Sequence, residues 1–274
     1  MAEGGDSNCI PVLDMQEFVD PEQCKKLREA SEEWGCFRII NHKIPGVAAM
    51  SDRAISILFT RLWASMIWAP SRLCVTFVLS WSLHHRETIE MYAQAIHELA
   101  MELGRMLAKS MGLVSNLFEE WPCQFRINKY DFTPEAIGAS GVQIHTDSGF
   151  LTILQDDENV GGLEVMDKSG AFVSVQPWAG TLLVNLGDLA KAWSNGRFCN
   201  VKHRVQCKEA SIRVSIASFV LGPKEAAVEA PPELVDAEHP RLYVPFSYED
   251  YRKIRLSTKL SAGEALELLR THSG

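Results

Sequence analysis

The chain has 274 residues, 46% of them hydrophobic and 23% charged, with a formal net charge of −8; this fits a soluble globular protein with room for one large domain or two small ones. The acidic balance offers no basic footprint for phosphates and argues against a nucleic-acid partner. The polar, acidic start from Met1 to Asn8 lacks a charged-then-apolar leader, and the seven cysteines contain no Cys-x-x-Cys pair, so the expectation is a reducing, cytoplasmic setting with neither a disulfide framework nor a zinc ribbon.

In chain order, Ile10-Pro11-Val12-Leu13 predicts a short first strand. Asp20-Pro21 predicts a helix start, an N-cap followed by proline at the first helical position. Cys24, Leu27, Ala30 and Trp34 keep helical spacing, and Gly35 closes the element. Cys36 to Asn41 predicts a second strand. A long helix is expected from about Glu87 to Met111, its apolar stripe made by Ile89, Tyr92, Ile96, Leu99, Leu103 and Leu107, with Gly112 at its end.

From Gln124 the pattern changes to short β-type runs separated by turn signals: Phe125–Tyr130, Val142–His145, Phe150–Leu154, Gly162–Val165, Ala171–Val175, Thr181–Leu186, Asn200–Val205 and Ser211–Leu221. Eight strands at this spacing suit a mainly β fold with flanking helices, a double-stranded β-helix or jelly roll. The tail is expected to hold a strand and turn at Tyr243–Phe246 and a short helix at Ala262–Leu269. Residues 1–120 then form an N-terminal helical and strand region packing on the core, and residues 121–274 form the jelly-roll domain.

One segment is out of character. No Asp or Glu occurs between Asp52 and Glu87, and three of the seven tryptophans, Trp63, Trp68 and Trp81, lie there. The apolar run Leu73–Leu79 is too short to span a bilayer, and Arg61, Pro70 and Arg72 interrupt its flank, so no membrane partner is expected.

The sharpest chemical signal is Gln143-Ile144-His145-Thr146-Asp147. Residues two apart on a strand point to one face, so His145 and Asp147 can converge on one metal. His203, in a later predicted strand, is the best third ligand. Two imidazoles and one carboxylate on one face of an octahedron leave positions open for a keto-acid and dioxygen, as non-heme Fe(II) oxygenases require. The far end of a dicarboxylate co-substrate needs a cation. Arg213 and Ser215 share a strand face, and arginine grips carboxylates bidentately. Asn128 and Tyr130 share a face on an earlier strand and point together. Each residue has a bland reading too. A lone His-x-Asp is common by chance, His203 alone fits a satisfied core histidine, Tyr130 a packing residue, and Arg213 a buried ion pair or an edge-strand guard. The ordered set carries more weight than its members. A zinc hydrolase built on the same three ligands is a weaker reading, since Arg-x-Ser would then have no purpose.

These residues bring the chain to a family. His145-Thr146-Asp147, Gly161-Gly162-Leu163-Glu164-Val165, Leu183-Val184-Asn185-Leu186-Gly187-Asp188, Trp193-Ser194-Asn195-Gly196, His203-Arg204-Val205 and Arg213-Val214-Ser215 resemble the catalytic core of plant iron(II)/2-oxoglutarate-dependent dioxygenases. Trp34 to His42 resembles the family's N-terminal signature. Trp121 to Tyr130 and Gly141 to Phe150 look most like the dioxygenases for auxin oxidation. The resemblance implies a jelly roll, one Fe(II), 2-oxoglutarate and dioxygen as co-substrates, and ascorbate in support. It implies that Arg213 and Ser215 hold the far carboxylate of 2-oxoglutarate, that Tyr130 assists, and that indole-3-acetic acid is oxidised to 2-oxindole-3-acetic acid. Gibberellin or flavonoid hydroxylation within the family, and a catalytically impaired truncated relative, are the alternatives. Arg61 to Pro70 and Thr76 to Leu83 can be encoded so that a shifted frame reads as family-like peptides, so 60–85 is read as a frameshifted stretch of the family's own coding sequence, with a divergent lid loop as the alternative.

Overall fold

The structure, a computed structural model, describes residues 10–17, 20–44, 65–69, 72–74, 83–114 and 117–271, with backbone alone at 65–69, 72–74, 83–86 and 88. Its strands are β1 (Val12–Asp14), β2 (Cys36–Ile40), β3 (Ser65–Ala69), β4 (Arg72–Cys74), β5 (Cys123–Asp131), β6 (Ser140–His145), β7 (Leu151–Gln155), β8 (Leu163–Met166), β9 (Phe172–Ser174), β10 (Leu182–Leu186), β11 (His203–Gln206) and β12 (Ile212–Val220). The α-helices are α1 (Pro21–Glu33), α2 (Leu83–Ser110), α3 (Asp188–Trp193), α4 (Tyr248–Thr258) and α5 (Glu264–Glu267).

Two sheets form. The larger has the order β1-β2-β10-β7-β12-β5-β3-β4 and the smaller β6-β11-β8-β9. The β1–β2 pair is parallel; the other pairs are antiparallel. Strand periodicity sorts the larger sheet's side chains. Phe37, Ile39, Phe125, Ile153, Val184 and Ile216 face outward into one core with α1 and α2. Cys36, Leu154, Leu183 and Ala217 face inward and pack on Leu163, Val165 and Val205 of the smaller sheet. The two sheets thus lie face to face, the jelly roll expected from the sequence, with helices on one outer face.

The helical layer follows its sequence signals. Asp20 caps α1 by accepting from the Glu22 amide, with Pro21 in the first turn. Ile89, Tyr92, Ile96, Leu99, Leu103 and Leu107 of α2 are all buried against the larger sheet. Burying these six contributes roughly 1.5–3 kcal/mol each before chain entropy is counted. Helix α2 begins one turn earlier than the sequence predicts.

Most of segment 60–85 lies outside the described residues. Its described part is backbone in β3, β4 and the start of α2, and β3 pairs with β5 in the register Ser65↔Arg126. Three expectations need correction. Asn200–Lys202 is not strand, because the Asn200 side chain is tied to Asp188 and the Val201 amide to the Leu186 carbonyl. Tyr243 and Phe246 form only isolated bridges, to Arg270 and Val228. The tail's main element is α4, which the strand reading passed over although Ser247 caps it and Asp250 completes the capping pair.

Candidate active site

His145 ends β6 and His203 opens β11, and the two are register partners across the smaller sheet. Their rings lie 4.2 Å apart, centroid to centroid. Asp147 follows two residues after His145. His145 Nε2 is 3.7 Å and His203 Nε2 3.9 Å from Asp147 Oδ1. The three ligand atoms lie within 4.8 Å of one another, the one such cluster of His, Cys, Asp and Glu among the described residues.

Each ring is aimed by a carbonyl two residues back in the chain. His145 Nδ1 lies 2.8 Å from the Gln143 carbonyl and His203 Nδ1 3.2 Å from that of Val201. A carbonyl only accepts, so each Nδ1 carries the proton and each Nε2 presents its lone pair to the cluster. Thr152 Oγ1 donates to Asp147 Oδ2 at 2.5 Å, leaving Oδ1 to face the imidazoles. Burial holds the His203 pKa below the ordinary histidine range, with His145 adding to the shift and Asp147 opposing it. A neutral imidazole is the form that binds metal. The donor set therefore fits a divalent iron ion.

The cavity beside the cluster is lined from both sheets: Asn128 and Tyr130 on β5, Arg213 and Ser215 on β12, Asn185 on β10, Leu163 on β8 and Val205 on β11. Arg213 pairs with Tyr130, and Ser215 with Asn128, along the β5–β12 ladder. Asn128 Nδ2 donates to Ser215 Oγ at 3.3 Å. Arg213 is 1% exposed and sits 5.0 Å over the Tyr130 ring. Its Nη2 donates to Asp156, while Nε and Nη1 are buried with no partner. Burial raises the Asp156 pKa, and Arg213 opposes the shift. Burial likewise raises that of Tyr130, again against Arg213. The sequence allows Arg213 a ligand role, a buried ion pair or an edge-strand guard, and β12 is not an edge, since it lies between β7 and β5. The ion pair exists, and two donors remain that an incoming carboxylate would satisfy.

Behind the cluster lies a buried network that the sequence reading gave no role. Asp188, fully buried, accepts from Tyr251 Oη (2.5 Å), Asn200 Nδ2 (2.7 Å) and Arg255 Nη1. Arg255 also donates to the Thr146 hydroxyl and carbonyl and to the Ser261 carbonyl. The Asp188 amide donates to the Asp147 carbonyl. At Gly187 an added Cβ would lie 2.3 Å from the Gly149 carbonyl oxygen and 2.7 Å from that of Asp147, so only glycine lets the two backbones meet. Helix α4 is thereby stitched to the segment that carries His145 and Asp147.

Residues 121–222 match the model of the 2OG-Fe(II) oxygenase superfamily, and residues 10–57 match that of the non-haem dioxygenase in morphine synthesis N-terminal region. The 2-oxoglutarate-dependent dioxygenase DAO of Oryza sativa subsp. indica is 45% identical over 280 residues, covering 90% of this chain and 93% of its own. The chain belongs to the 2OG-Fe(II) oxygenase superfamily. It is a 2-oxoglutarate-dependent dioxygenase, an oxidoreductase. Gibberellin 2-beta-dioxygenase 5 of Oryza sativa subsp. japonica is more distant, 30% identical over 300 residues, with 95% of this chain and 87% of its own covered. The crystal structure of the rice dioxygenase for auxin oxidation superposes on this oxygenase with a TM-score of 0.88 at 42% identity, covering 96% of this chain and all of that one. No helix among the described residues is long and apolar enough to cross a membrane.

Proposed function

We propose that this dioxygenase oxidises indole-3-acetic acid to 2-oxindole-3-acetic acid in the plant cytoplasm, with ascorbate in support. In this reading residues 121–274 are the catalytic domain, and residues 1–120 pack on it. His145, Asp147 and His203 hold Fe(II). Arg213 and Ser215 hold the far carboxylate of 2-oxoglutarate, with Asn128 and Tyr130 alongside. When bound, iron and 2-oxoglutarate supply the oxidising chemistry: the keto-acid loses carbon dioxide and becomes succinate, and one oxygen atom of dioxygen goes to the substrate.

The protein's part is orientation and shielding. The Nδ1 bonds fix which nitrogen each histidine offers, Thr152 fixes which Asp147 oxygen faces the imidazoles, and the apolar walls Leu154, Leu163 and Val205 keep water from the reacting centre. The observation that carries the reading is the buried Arg213, with two partnerless donors, in the same cavity as the His-Asp-His cluster. The substrate assignment rests on the likeness to the auxin-oxidising dioxygenases rather than to the gibberellin enzyme.

The test is incubation of the purified protein with Fe(II), 2-oxoglutarate, ascorbate and air, with indole-3-acetic acid and gibberellins in separate arms. Mass spectrometry is expected to find the indole acid gaining one oxygen, with one succinate formed per product. Turnover of a gibberellin without turnover of indole-3-acetic acid would overturn the substrate.

A further inference from the structure

The cavity holds a second cation that binding of metal and co-substrate leaves unused. Arg126 lies on β5 two residues before Asn128 and four before Tyr130, so all three share the inward face. Its register partner on β12 is Ala217, whereas Tyr130 pairs with Arg213. Four residues of strand separate the two levels by about 13 Å. Arg213 is buried and Arg126 is exposed, which places Arg213 at the closed end of the cavity and Arg126 at its mouth. Among the described residues these are the two lysine or arginine side chains that line it.

Arg126 makes no ion pair or hydrogen bond with the described residues. Its guanidinium stacks on Phe219, 5.4 Å from the ring centroid, and this contact orients the charge without neutralising it. Neighbouring cations are committed elsewhere: Lys129 to Asp131 at 3.0 Å, and Arg204 and Lys208 to Glu164. A free, oriented guanidinium at the mouth suits an anion. Apolar Val142, Leu154 and Ala217 line the same cavity and suit the body of a ring.

We propose that Arg126 holds the carboxylate of the organic-acid substrate, so that the cavity takes two acids end to end, the co-substrate on Arg213 and the substrate on Arg126. This makes the enzyme selective for acids over their neutral analogues. The inference rests on the reading of the same site given above, and its test separates the two.

Binding of indole-3-acetic acid and of the neutral indole-3-acetamide to the iron- and 2-oxoglutarate-loaded protein is measured under nitrogen by calorimetry, for wild type, Arg126→Gln and Arg126→Lys. Steady-state kinetics follow in air. A charge-assisted hydrogen-bonded pair implies a loss of acid affinity of roughly ten- to a hundredfold in Arg126→Gln. Arg126→Lys should recover part of it, while 2-oxoglutarate binding and the weak binding of the amide stay unchanged. Equal acid affinity in wild type and Arg126→Gln, or an equal loss for acid and amide, overturns the inference. Should wild type take a gibberellin instead, the substrate reading fails, and the same comparison with that acid and its methyl ester decides the role of Arg126.

Discussion

Replacing Arg255 by alanine removes the cation facing Asp188 together with three further hydrogen bonds, to the Thr146 hydroxyl, the Thr146 carbonyl and the Ser261 carbonyl. The Asp188 carboxylate would keep only the neutral donors of Tyr251 and Asn200. It is fully buried, and the Arg255 side chain is only 14% exposed, so solvent screens the pair little. Breaking such a pair by deleting one partner costs about 3–5 kcal/mol, a large part of a total stability of about 5–15 kcal/mol. At about 2–4 °C per kcal/mol for a chain of this size class, the metal-free protein should melt roughly 6–20 °C lower. Tyr251→Phe removes one hydrogen bond to the same carboxylate and should cost about 1–3 kcal/mol. Arg255→Lys keeps the charge but not the spread of donors, and should fall between wild type and alanine. Calorimetric melting of the metal-free variants, with iron titration well below each Tm, gives both numbers. A melting point for Arg255→Ala within about 2 °C of wild type would show that the network does not hold the segment before Asp147.

Changing His145 or Asp147 to alanine should abolish iron retention and turnover together, checked by metal analysis after desalting; full activity with metal intact would remove the assignment. Arg213→Ala should weaken 2-oxoglutarate by about 2–5 kcal/mol, tens- to thousands-fold, while leaving iron affinity near wild type; an unchanged co-substrate affinity would place the far carboxylate elsewhere. Burial depresses the pKa of His42, His97 and His203, so the unfolded chain takes up protons that the folded chain refuses. Stability of the metal-free protein is then fully present above about pH 6.5 and is lost as pH falls below it toward the folded-state values, and a Tm that is flat or rises on acidification through that range would contradict the assignment. The coding DNA across residues 60–85 should give a family-like peptide in a shifted frame, and its absence there would refute the frameshift reading.

The sequence made some features legible and hid others for physical reasons. His145 and Asp147, two apart at a strand end, and Arg213 and Ser215, two apart within a strand, follow directly from period-two geometry. The register then sets Arg213 opposite Tyr130 and Ser215 opposite Asn128. Asp156 was not foreseen as the partner of Arg213, because a buried ion pair across 57 residues leaves no local signal. Arg126 was in view as part of Trp121–Tyr130, but its meaning depends on which strand lies opposite and on who neutralises the other cations. Helix α4 has a readable start in Ser247 and Asp250, but it buries only Tyr248 and Tyr251 and so shows no apolar stripe of helical period. The reach of Arg255 to Thr146 spans 109 residues and is a property of packing rather than of pattern.

The aim of the two imidazoles has a consequence for how such an enzyme can diverge. Each ring is set by a carbonyl two residues back on its own chain, Gln143 for His145 and Val201 for His203. The choice of which nitrogen each ring offers is therefore carried inside two short peptides. The cavity mouth draws on another stretch, with Arg126 on β5. Drift at the mouth can change which acid is admitted while the proton on each Nδ1, and with it the lone pair on each Nε2, stays where it is. Exchanging residues 124–126 between relatives of different substrate preference is then a transplant of specificity that leaves the ligand tautomers untouched.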